Sequence, residues 1–434
     1  MEKSSEVKGF YKLSASERLE FVRNFASLTL EEATILSHYG GLGAENANRM
    51  IENVVGTIQL PIGIATNFKI NGRDFLIPFA VEEPSVVAAA SNAAKIARVA
   101  GGFTTTSSDP VMIGQIQLVN PRFQENDWVN AIDKIKEREK ELIAFANSRD
   151  KTLAEFGGGA REIQARVVKA FRGQMLAVLL LVDVRDAMGA NAVNTMCEAL
   201  APKLEELTGA TARLRIISNL AVHRTASAKA VFPKSELAVE GICGGEETIE
   251  RILDAYAFAV ADEYRACTHN KGVMNGVDAV VIATGNDWRA IEAGAHAFAT
   301  LSGKYSPLTK YYKNEKGDLV GEITLPVPVG LVGGATKTNP VARVCVKILG
   351  VKTARELGEV LAAVGLAQNF AALRALATEG IQKGHMKLHA KNIAVVAGAK
   401  SELVDVIAQR MVEEKNVSVD RARELLKELT NSKN

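Results

Sequence analysis

The N-terminal part of the chain alternates between helical and strand-like patterns of apolar positions. A helical period predicts helices over 14–26, over 29–37, which opens with a capping-box pattern, and over 44–54. Period-two alternation then predicts two strands joined by Asn71-Gly72, a strong signal for a tight β-hairpin. A helix rich in alanine follows over 86–99. Its small side chains would let it lie close to another backbone, or to a ligand.

The pattern changes over a stretch of about 110 residues in the middle of the chain. Strand-like runs alternate there with long polar helices, as in a compact domain that mixes both element types: strands at 111–119, 174–184 and 212–218, helices at 129–147 and 191–207. Alanine-rich helices and glycine turns then return over 220–377, and the last 55 or so residues are helical and more charged. The pattern therefore predicts an interrupted first domain, an inserted second one and a helical C-terminal segment.

Composition places the chain among ordinary globular proteins. Its 434 residues include 52 Lys+Arg and 50 Asp+Glu, a net charge of +2, which argues against a nucleic-acid partner. The apolar share of 47% argues against a disordered chain. The longest clean apolar run, 175–182, is too short to span a membrane, and the N-terminus shows no secretory signal. The expectation is a cytoplasmic protein that does not depend on a membrane.

Cysteine and histidine spacing indicates no metal site and no disulfide framework. The four cysteines form no C-x-x-C pair and are expected to be buried, reduced thiols: Cys197, Cys243, Cys267 and Cys345. His385 and His389 are four residues apart, but no acid or cysteine stands nearby at ligand spacing. A reducing, cytoplasmic compartment and the absence of a metal are therefore predicted.

The common nucleotide and hydrolase motifs are missing. No G-x-G-x-x-G follows a strand, and the segment 330–338 resembles a P-loop only superficially, because Thr336 stands where that motif needs glycine. There is no H-E-x-x-H and no G-x-S-x-G. A P-loop kinase, a zinc hydrolase and an α/β-hydrolase are all poor fits.

Four polar residues remain, each expected on a short turn at the end of an element. Glu83 precedes the alanine-rich helix, Lys271 adjoins Gly272, Asp287 is expected to follow an apolar strand, and His385 follows a glycine. Two acids, an amine and an imidazole brought together could carry out chemistry on a carbonyl group. Taken singly, each is equally compatible with a surface ion pair or a helix cap, so these residues alone leave the function open.

The segments around these residues resemble a known family. The chain is similar, from about residue 10 to about residue 430, to the class II 3-hydroxy-3-methylglutaryl-coenzyme A (HMG-CoA) reductases of bacteria and archaea. The matching segments are long and collinear: 52–57, 81–91, 183–191, 268–276, 283–297, 328–338 and 384–394.

The resemblance implies an α+β fold with three parts. A large, mainly helical domain with a central β element would bind the CoA ester (1–109 and 219–376). A small inserted α/β domain without a Rossmann fingerprint would bind NAD(P) (110–218). A helical C-terminal flap (377–434) would close over the site.

The resemblance also implies the reaction and its catalytic residues. HMG-CoA would be reduced in two hydride steps to mevalonate and CoA, or mevalonate oxidised in reverse, with two nicotinamide cofactors used. Lys271 would stabilise the developing oxyanion. Glu83 and Asp287 would relay protons, with Asp287 lying between Glu83 and Lys271. His385 would protonate the departing CoA thiolate.

Further residues are implied for the cofactor and the substrate. Asp186, Met188, Gly189 and Asn191 fit the family's dinucleotide loop, and Asp150 falls where the adenosine ribose is read. A carboxylate there would repel a 2′-phosphate, so NADH is predicted over NADPH, although Arg149 and Lys151 flank it. Positions matching those around HMG-CoA are Ser85, Asn219, Arg265 and Asn275; Arg265 is a suitable partner for the HMG carboxylate.

The family assembles its active site at a dimer interface, to which the segment around Glu52 would contribute. A homodimer, or a larger assembly built from it, is therefore expected. Two alternatives remain at this point: a binding module that retains the fold without the chemistry, and another CoA-ester enzyme such as an acyltransferase. Retention of all four polar positions argues against the first, and the dinucleotide loop argues against the second.

Overall fold

The computed structural model describes residues 4–38, 41–378 and 380–431, apart from the side chains of 335, 337, 381–388, 401 and 431. The N-terminal region contributes helices and the first three strands: α1 (Ala15–Ala26), α2 (Leu30–Ser37), α3 (Ala44–Met50), β1 (Ile62–Ile70), β2 (Arg73–Ala80), α4 (Val86–Val99) and β3 (Phe103–Ser107). The predicted hairpin is confirmed, because β1 and β2 pair antiparallel across Asn71 and Gly72, which both have positive φ.

The middle region folds around its own sheet. Its elements are β4 (Val111–Val119), α5 (Glu125–Glu137), α6 (Glu139–Asn147), α7 (Lys151–Glu155), β5 (Gly159–Ala170), β6 (Gly173–Asp183), α8 (Ala190–Thr208) and β7 (Thr211–Ser218). All pairings in the sheet are antiparallel, in the order β5-β6-β4-β7. Strands and helices together enclose a separate hydrophobic core around Trp128, which we call the second core.

The chain then returns to the first sheet. This region contributes β8 (Thr225–Phe232), α9 (Gly245–Ala261), α10 (Glu263–Ala283), α11 (Trp288–Phe298), β9 (Thr309–Lys313), β10 (Leu319–Pro326), α12 (Gly334–Thr338), α13 (Pro340–Leu349) and α14 (Ala354–Ala377). The six strands lie in the order β2-β1-β3-β8-β10-β9, so segments on both sides of the insertion share one sheet. Helices α4, α10 and α14 pack with it into the first core.

Helix α14 is apolar on nearly every side. Among the described residues it is the one helix long and apolar enough to cross a membrane by length and composition, and 67% of its most apolar window is buried in the fold. Such burial is typical of a helix at the centre of a globular core. Three further helices complete the chain around a small third core: α15 (Ile381–Val396), α16 (Ser401–Glu413) and α17 (Val419–Asn431).

The α+β fold class is confirmed, but several local predictions are wrong. Residues 279–283, expected as a strand, form the last turns of α10, and the single helix expected over 129–147 is two helices that meet at Arg138. Strand β5 was not foreseen, and α3 ends at Met50. Propensity alone misleads at 279–283 because a run of Ala, Val and Ile suits a buried helix as well as a strand.

The cysteines depart from expectation at one position. Cys197 and Cys345 are buried, and burial raises the pKa of both thiols to about 12. Cys243 is half-buried, whereas Cys267 is exposed on α10. The prediction of a buried thiol was therefore wrong for Cys267.

Candidate active site

The central feature of the site is a direct contact between Glu83 and Lys271. Glu83 lies in the turn between β2 and α4, and its Oε2 is 2.9 Å from Nζ of Lys271. The Glu83 side chain is 35% exposed and that of Lys271 60%. An ion pair this open contributes only about 0–1 kcal/mol to stability. The contact therefore places an acid and an amine at an accessible surface without being needed for the fold.

Lys271 stands inside α10, so its predicted place on a turn is wrong. The neighbouring glycines serve packing instead of turning. A Cβ on Gly276 would lie 2.9 Å from Cγ1 of Val364 and 3.0 Å from Cβ of Gln368, so glycine lets α10 approach α14 closely. The buried face of α10 is held against α14, and Lys271 projects from the opposite, open face.

A buried hydrogen-bond network fixes the segment of α10 that precedes Lys271. The His269 ring lies 2.6 Å from the Thr309 hydroxyl, and Asn369 of α14 donates to the His269 carbonyl at 2.9 Å. Asn270 donates to the Ser306 carbonyl at 2.9 Å and accepts from a backbone N–H of the same loop at 2.8 Å. Burial lowers the pKa of His269 to about 3, so this ring is neutral at physiological pH. The network therefore fixes the backbone of α10 immediately before Lys271.

Ser85 adopts a strained backbone beside Glu83. Its φ is +75°, in the left-handed region that a residue with a side chain adopts at a cost of about 1–3 kcal/mol. Ser85 stands at the start of α4, yet its hydroxyl does not cap that helix. The hydroxyl is thus left available at the mouth of the Glu83 turn, which fits the substrate contact expected for it.

Within the described part of the chain, Asp287 forms no hydrogen bond or ion pair with Glu83 or Lys271, which bond directly to each other. Asp287 is the N-cap of α11 and accepts from the backbone N–H groups of Arg289 and Ala290 at 3.1 and 3.2 Å. Its carboxylate also lies 3.4 Å from the Arg289 guanidinium and is 42% exposed. The place expected for Asp287 between Glu83 and Lys271 stays a prediction.

The substrate residues divide between two faces. Asn275 follows Lys271 by one turn of α10 and shares its face, whereas Arg265 is about 120° around that helix. Asn219 is exposed in the loop after β7, and its carbonyl packs against Gly294 of α11. The described part of the chain therefore brings Ser85 and Asn275 to the Glu83–Lys271 pair, but not Arg265.

The proposed dinucleotide loop is tied to the first core by a residue that the sequence did not reveal. Arg224 is almost completely buried and donates to the carbonyls of Ala187 and Met188 at 2.9 and 3.1 Å, and to that of Val329 at 2.5 Å. Burial lowers its pKa to about 10, and the nearby carboxylate of Asp186 partly offsets that effect. No motif surrounds Arg224 that would have marked it.

Asp186 and the glycines complete this anchorage. The Asp186 carboxylate accepts from the Ala354 N–H at 2.7 Å, at the start of α14. Gly189 has a φ of +99°, and a Cβ there would lie 2.5 Å from Val184. A Cβ on Gly330 would lie 2.5 Å from the Met188 backbone nitrogen. The loop is therefore built for close backbone approach, and it leads directly to Asn191, exposed on α8.

Asp150 lies on the same side of the second core as this loop. Its carboxylate caps the short helix α7 by accepting from the Leu153 N–H at 2.9 Å. The glycine turn that follows α7 contacts the loop, since Arg185 donates to the Gly157 carbonyl. Nearby, Arg149 and Lys203 lie 4.1 and 4.4 Å from the ring centre of Phe145. Two cations therefore lie against the Phe145 ring, one of them on Arg149, the residue that precedes Asp150.

A large cavity of about 1480 Å³ opens beside α4. It lies between the N-terminal helices and the segment 57–67, and Ala88, Ser91 and Lys95 of α4 form part of its wall. Its volume exceeds that of most small-molecule sites, and α4 connects it to the Glu83 turn. A coenzyme-sized ligand could be accommodated here.

Two expectations remain, the role of His385 and the absence of a metal site. His385 is on α15, but its side chain lies outside the described residues. The described residues contain no group of three or more His, Cys, Asp or Glu that could hold a metal ion.

Comparison with known proteins places the site in its family. The profile of the hydroxymethylglutaryl-coenzyme A reductases matches residues 14–390. A 3-hydroxy-3-methylglutaryl-coenzyme A reductase of Archaeoglobus fulgidus is 56% identical over 430 residues, covering 98% of this chain and 95% of that protein.

Solved structures of the same family have the same fold as this chain. The class II enzyme from Streptococcus pneumoniae bound to NADPH in open conformations is 42% identical, with a TM-score of 0.81 over 96% of this chain and 100% of that one. A second structure from the same organism gives 42% identity and a TM-score of 0.82, covering 97% and 99% of the two chains. The profile match, the archaeal relative and the shared fold show that this chain belongs to the hydroxymethylglutaryl-coenzyme A reductase family.

Proposed function

We propose that this chain reduces the thioester of HMG-CoA to the alcohol of mevalonate, releasing CoA, in two steps that each use one reduced nicotinamide cofactor. The observation that carries the proposal is the 2.9 Å contact between Glu83 and Lys271 on an open surface beside the strained Ser85. Such an arrangement suits a carbonyl that gains negative charge and then a proton. The cofactor, when bound, supplies the hydride.

Each residue at the site has a distinct task in this proposal. The Lys271 ammonium, held by the rigid first part of α10, donates hydrogen bonds to the oxygen that becomes an alkoxide. Glu83, already within hydrogen-bond distance of Lys271, first takes up a proton from water and then passes it to that oxygen. Asp287 keeps Lys271 charged and joins the relay once assembly brings it to the pair. His385, carried by the C-terminal segment, protonates the CoA thiolate.

Lys271→Ala tests the chemical part of the proposal. We expect kcat to fall by about 1,000-fold, because the main oxyanion donor is lost. The melting temperature should stay close to that of the parent, since the ion pair is exposed. The measurement is oxidation of reduced cofactor, followed by absorbance with HMG-CoA as substrate.

Lys313→Ala is the matched control for this experiment. Lys313 also forms ion pairs with glutamates, Glu246 and Glu250, but on a different surface. Its loss should leave kcat unchanged. Substantial turnover by Lys271→Ala, or a complete lack of HMG-CoA-dependent oxidation by the parent chain, would contradict the proposed function.

The cofactor preference is a finer proposal. The carboxylate of Asp150 favours NADH by repelling a 2′-phosphate, whereas Arg149 and Lys203 on either side of Phe145 would attract one. We therefore propose NADH as the preferred cofactor, with NADPH also accepted. The NADPH-bound relative from S. pneumoniae is consistent with tolerance of the phosphate in this family.

Arg149→Ala tests this balance. Removing the guanidinium should lower kcat/KM for NADPH by about tenfold, the effect of losing roughly 1.4 kcal/mol of phosphate binding. The value for NADH should change less than threefold. Equal losses with both cofactors would show that Arg149 does not read the phosphate, and a parent that strongly prefers NADPH would contradict the preference itself.

The larger organisation follows from the same proposal. We propose that residues 110–218 bind the cofactor, that 1–109 and 219–376 bind the CoA ester, and that 377–434 close over both. A homodimer is proposed because the extended segment 51–61 leaves Val55 and Ile58 almost fully exposed, which soluble chains seldom tolerate without a partner. We propose a cytoplasmic location, which the burial of α14 within the fold supports.

A further inference from the structure

A chain of titratable side chains connects α10 with α11, the two helices that carry Lys271 and Asp287. Oε2 of Glu292 lies 2.6 Å from Nε2 of His296, one turn further along α11. Nδ1 of His296 lies 2.6 Å from the hydroxyl of Tyr305, and the two rings are stacked. On the α10 side, Asp278 is within hydrogen-bond reach of Glu292. The catalytic steps proposed above use none of these four groups.

The contact between the two carboxyl groups requires a proton. Carboxylates that touch cannot both be ionised at low cost, so one of them acts as a neutral donor. Burial, together with Glu292, raises the pKa of Asp278 to about 9, while His296 lowers that of Glu292. Asp278 is therefore the neutral donor and Glu292 the charged acceptor. The second carboxyl oxygen of Asp278 is buried and, within the described part of the chain, has no hydrogen-bond partner.

The groups facing this cluster are few. Glu292 raises the pKa of His296, so the two form an ion pair at neutral pH. Cys267 and Asn270 of α10 face Tyr305, whose pKa is raised by burial. Among the described residues these are the titratable and polar groups that act on the cluster. Its net charge is therefore set internally, by Asp278, Glu292 and His296.

Helix α11 determines where two site residues stand. Asp287 is its N-cap, so the position of that carboxylate follows the helix. Gly294 packs on the Asn219 loop so closely that a Cβ would lie 2.6 Å from the Asn219 carbonyl. A rotation or shift of α11 against α10 therefore moves both Asp287 and Asn219 relative to Lys271.

We propose that Glu292 is a positioning residue for the reductase reaction: by bonding to Asp278 of α10 and to His296 of its own helix, it holds α11 in one register against α10 and so fixes where Asp287 and Asn219 stand relative to Lys271. Glu292 touches neither substrate nor cofactor in this role. The inference rests on the proposed function for its catalytic consequence, but not for the existence of the cluster.

Glu292→Ala and Glu292→Gln test the proposal as a pair. Alanine removes both hydrogen bonds, and a misplacement of about 1 Å at a site can cost about 100-fold in rate, so we expect kcat to fall by about 10- to 100-fold. The KM for HMG-CoA should change by less than about threefold if orientation rather than binding is lost. Glutamine can accept from Asp278 and donate to a neutral His296, so it should restore most of kcat near pH 7.

Glu247→Ala is the matched control. Glu247 also pairs with a cation four residues further along its helix, Arg251, but at an exposed position on α9. It should leave kcat unchanged. A Glu292→Ala protein with kcat within threefold of the parent would overturn the proposal, as would a Glu292→Gln protein no better than the alanine variant.

Asp278→Leu provides a second test of the same contact in case the Glu292→Ala protein does not fold. Leucine fills the space of a buried carboxyl without leaving an unpartnered charge, so the protein should fold and melt no lower than the parent. It cannot donate to Glu292, and kcat should fall by about tenfold. A folded Asp278→Leu protein with the parent's kcat and pH profile would overturn the proposal.

The titration of His296 separates this inference from the proposed function. Selective ¹³C labelling of histidine, with the His296 signal identified by its loss in His296→Asn, gives the ring pKa without any substrate. In Glu292→Gln we expect that pKa to fall, because the carboxylate that holds the proton is gone. An unchanged His296 titration would overturn the positioning role alone, whereas absence of HMG-CoA-dependent turnover would overturn the proposed function alone.

Discussion

Arg224 shows how much of the site depends on one buried cation. Its guanidinium bonds to three carbonyls that belong to two separate segments, the proposed dinucleotide loop and the loop after β10 at Val329. Guanidinium geometry suits such a fork, and lysine could satisfy only part of it. The backbone of the proposed dinucleotide loop is thus fixed by a buried side chain that lies outside the loop.

Arg224→Lys should destabilise the protein by about 2–3 kcal/mol, because buried carbonyls lose their donor. The KM for the cofactor should rise by about tenfold or more, while the KM for HMG-CoA should change little. Urea unfolding and steady-state kinetics measure the two effects. Arg215→Ala, at an exposed position on β7, is the control and should change neither value. A lysine variant with unaltered cofactor KM would show that the loop does not need this anchor.

Residues at element ends were the ones that the sequence located well. Glu83 and Asp287 lie at a turn and at a helix cap, where polar groups after apolar runs are easily noticed. Lys271 was noticed beside its glycine and owes its assigned role to the resemblance, but its local setting was misjudged because the glycines beside it suggested a turn. Arg224 left no local signal at all, since its partners lie up to 105 residues away. Long-range partners of this kind cannot be deduced from spacing.

At the scale of elements, helix α10 carries Lys271 and contacts most of the elements around the site. It packs on α14 through glycines, on β9 and its preceding loop through His269 and Asn270, and on α11 through Asp278. The first two contacts are pH-independent near neutrality, because His269 is neutral there. The third is not, since it depends on a shared proton.

The stability that the contact between α10 and α11 gives the protein should decrease as pH rises. Between the ordinary pKa of Asp278, 3.8, and its raised value of about 9, the unfolded chain ionises this carboxyl while the folded chain keeps the proton. The free energy of unfolding therefore falls with pH across that window. The raised pKa of His296 acts in the same direction, because its ion pair with Glu292 is complete at lower pH and is lost as pH rises through that pKa.

Asp278→Asn isolates the first effect. The amide donates to Glu292 as the protonated carboxyl does, but it cannot ionise. We expect the variant to gain stability relative to the parent as pH rises from about 5 to 9, and the difference to be smallest at the acid end. Urea unfolding at several pH values provides the measurement. A difference that is the same at every pH would contradict this account of the cluster.

The sequence predicted elements best where their pattern was unmistakable. The hairpin at Asn71-Gly72 and the alanine-rich α4 were placed nearly to the residue. Residues 279–283 were misassigned because uniformly apolar segments carry no period, and only their place beneath α14 decides for a helix. The α+β class survived these errors, since it depends on the balance of elements more than on any one of them.

At the scale of the whole molecule, the segment 51–61 has no partner within the described chain that would cover its apolar side chains. Ile51, Val55 and Ile58 are largely exposed along extended backbone. Apolar groups so arranged are typical of a chain that completes its fold against another copy. Asp287 forms no hydrogen bond or ion pair with Glu83 or Lys271 within the described chain, which is consistent with a site that a second copy completes.

Val55→Asp combined with Ile58→Asp should abolish the proposed homodimer. We expect a folded monomer by sedimentation, with the parent's circular dichroism and with activity lowered by about 100-fold or more, since the assembled site is missing. Phe171→Asp, which alters an equally exposed apolar residue at the β5–β6 hairpin, should remain dimeric and active. A double variant that sediments and works like the parent would rule out this interface.

The tie between Asp186 and the N-terminus of α14 has a mechanical consequence. The dinucleotide loop follows β6, a strand of the second core, but its backbone and carboxylate are fastened to Arg224 and Ala354 of the first. If the second core rotates relative to the first, the loop is the pivot and moves least. The loop backbone would keep its place against the first core, while parts of the second core farther from the loop would move through a larger arc.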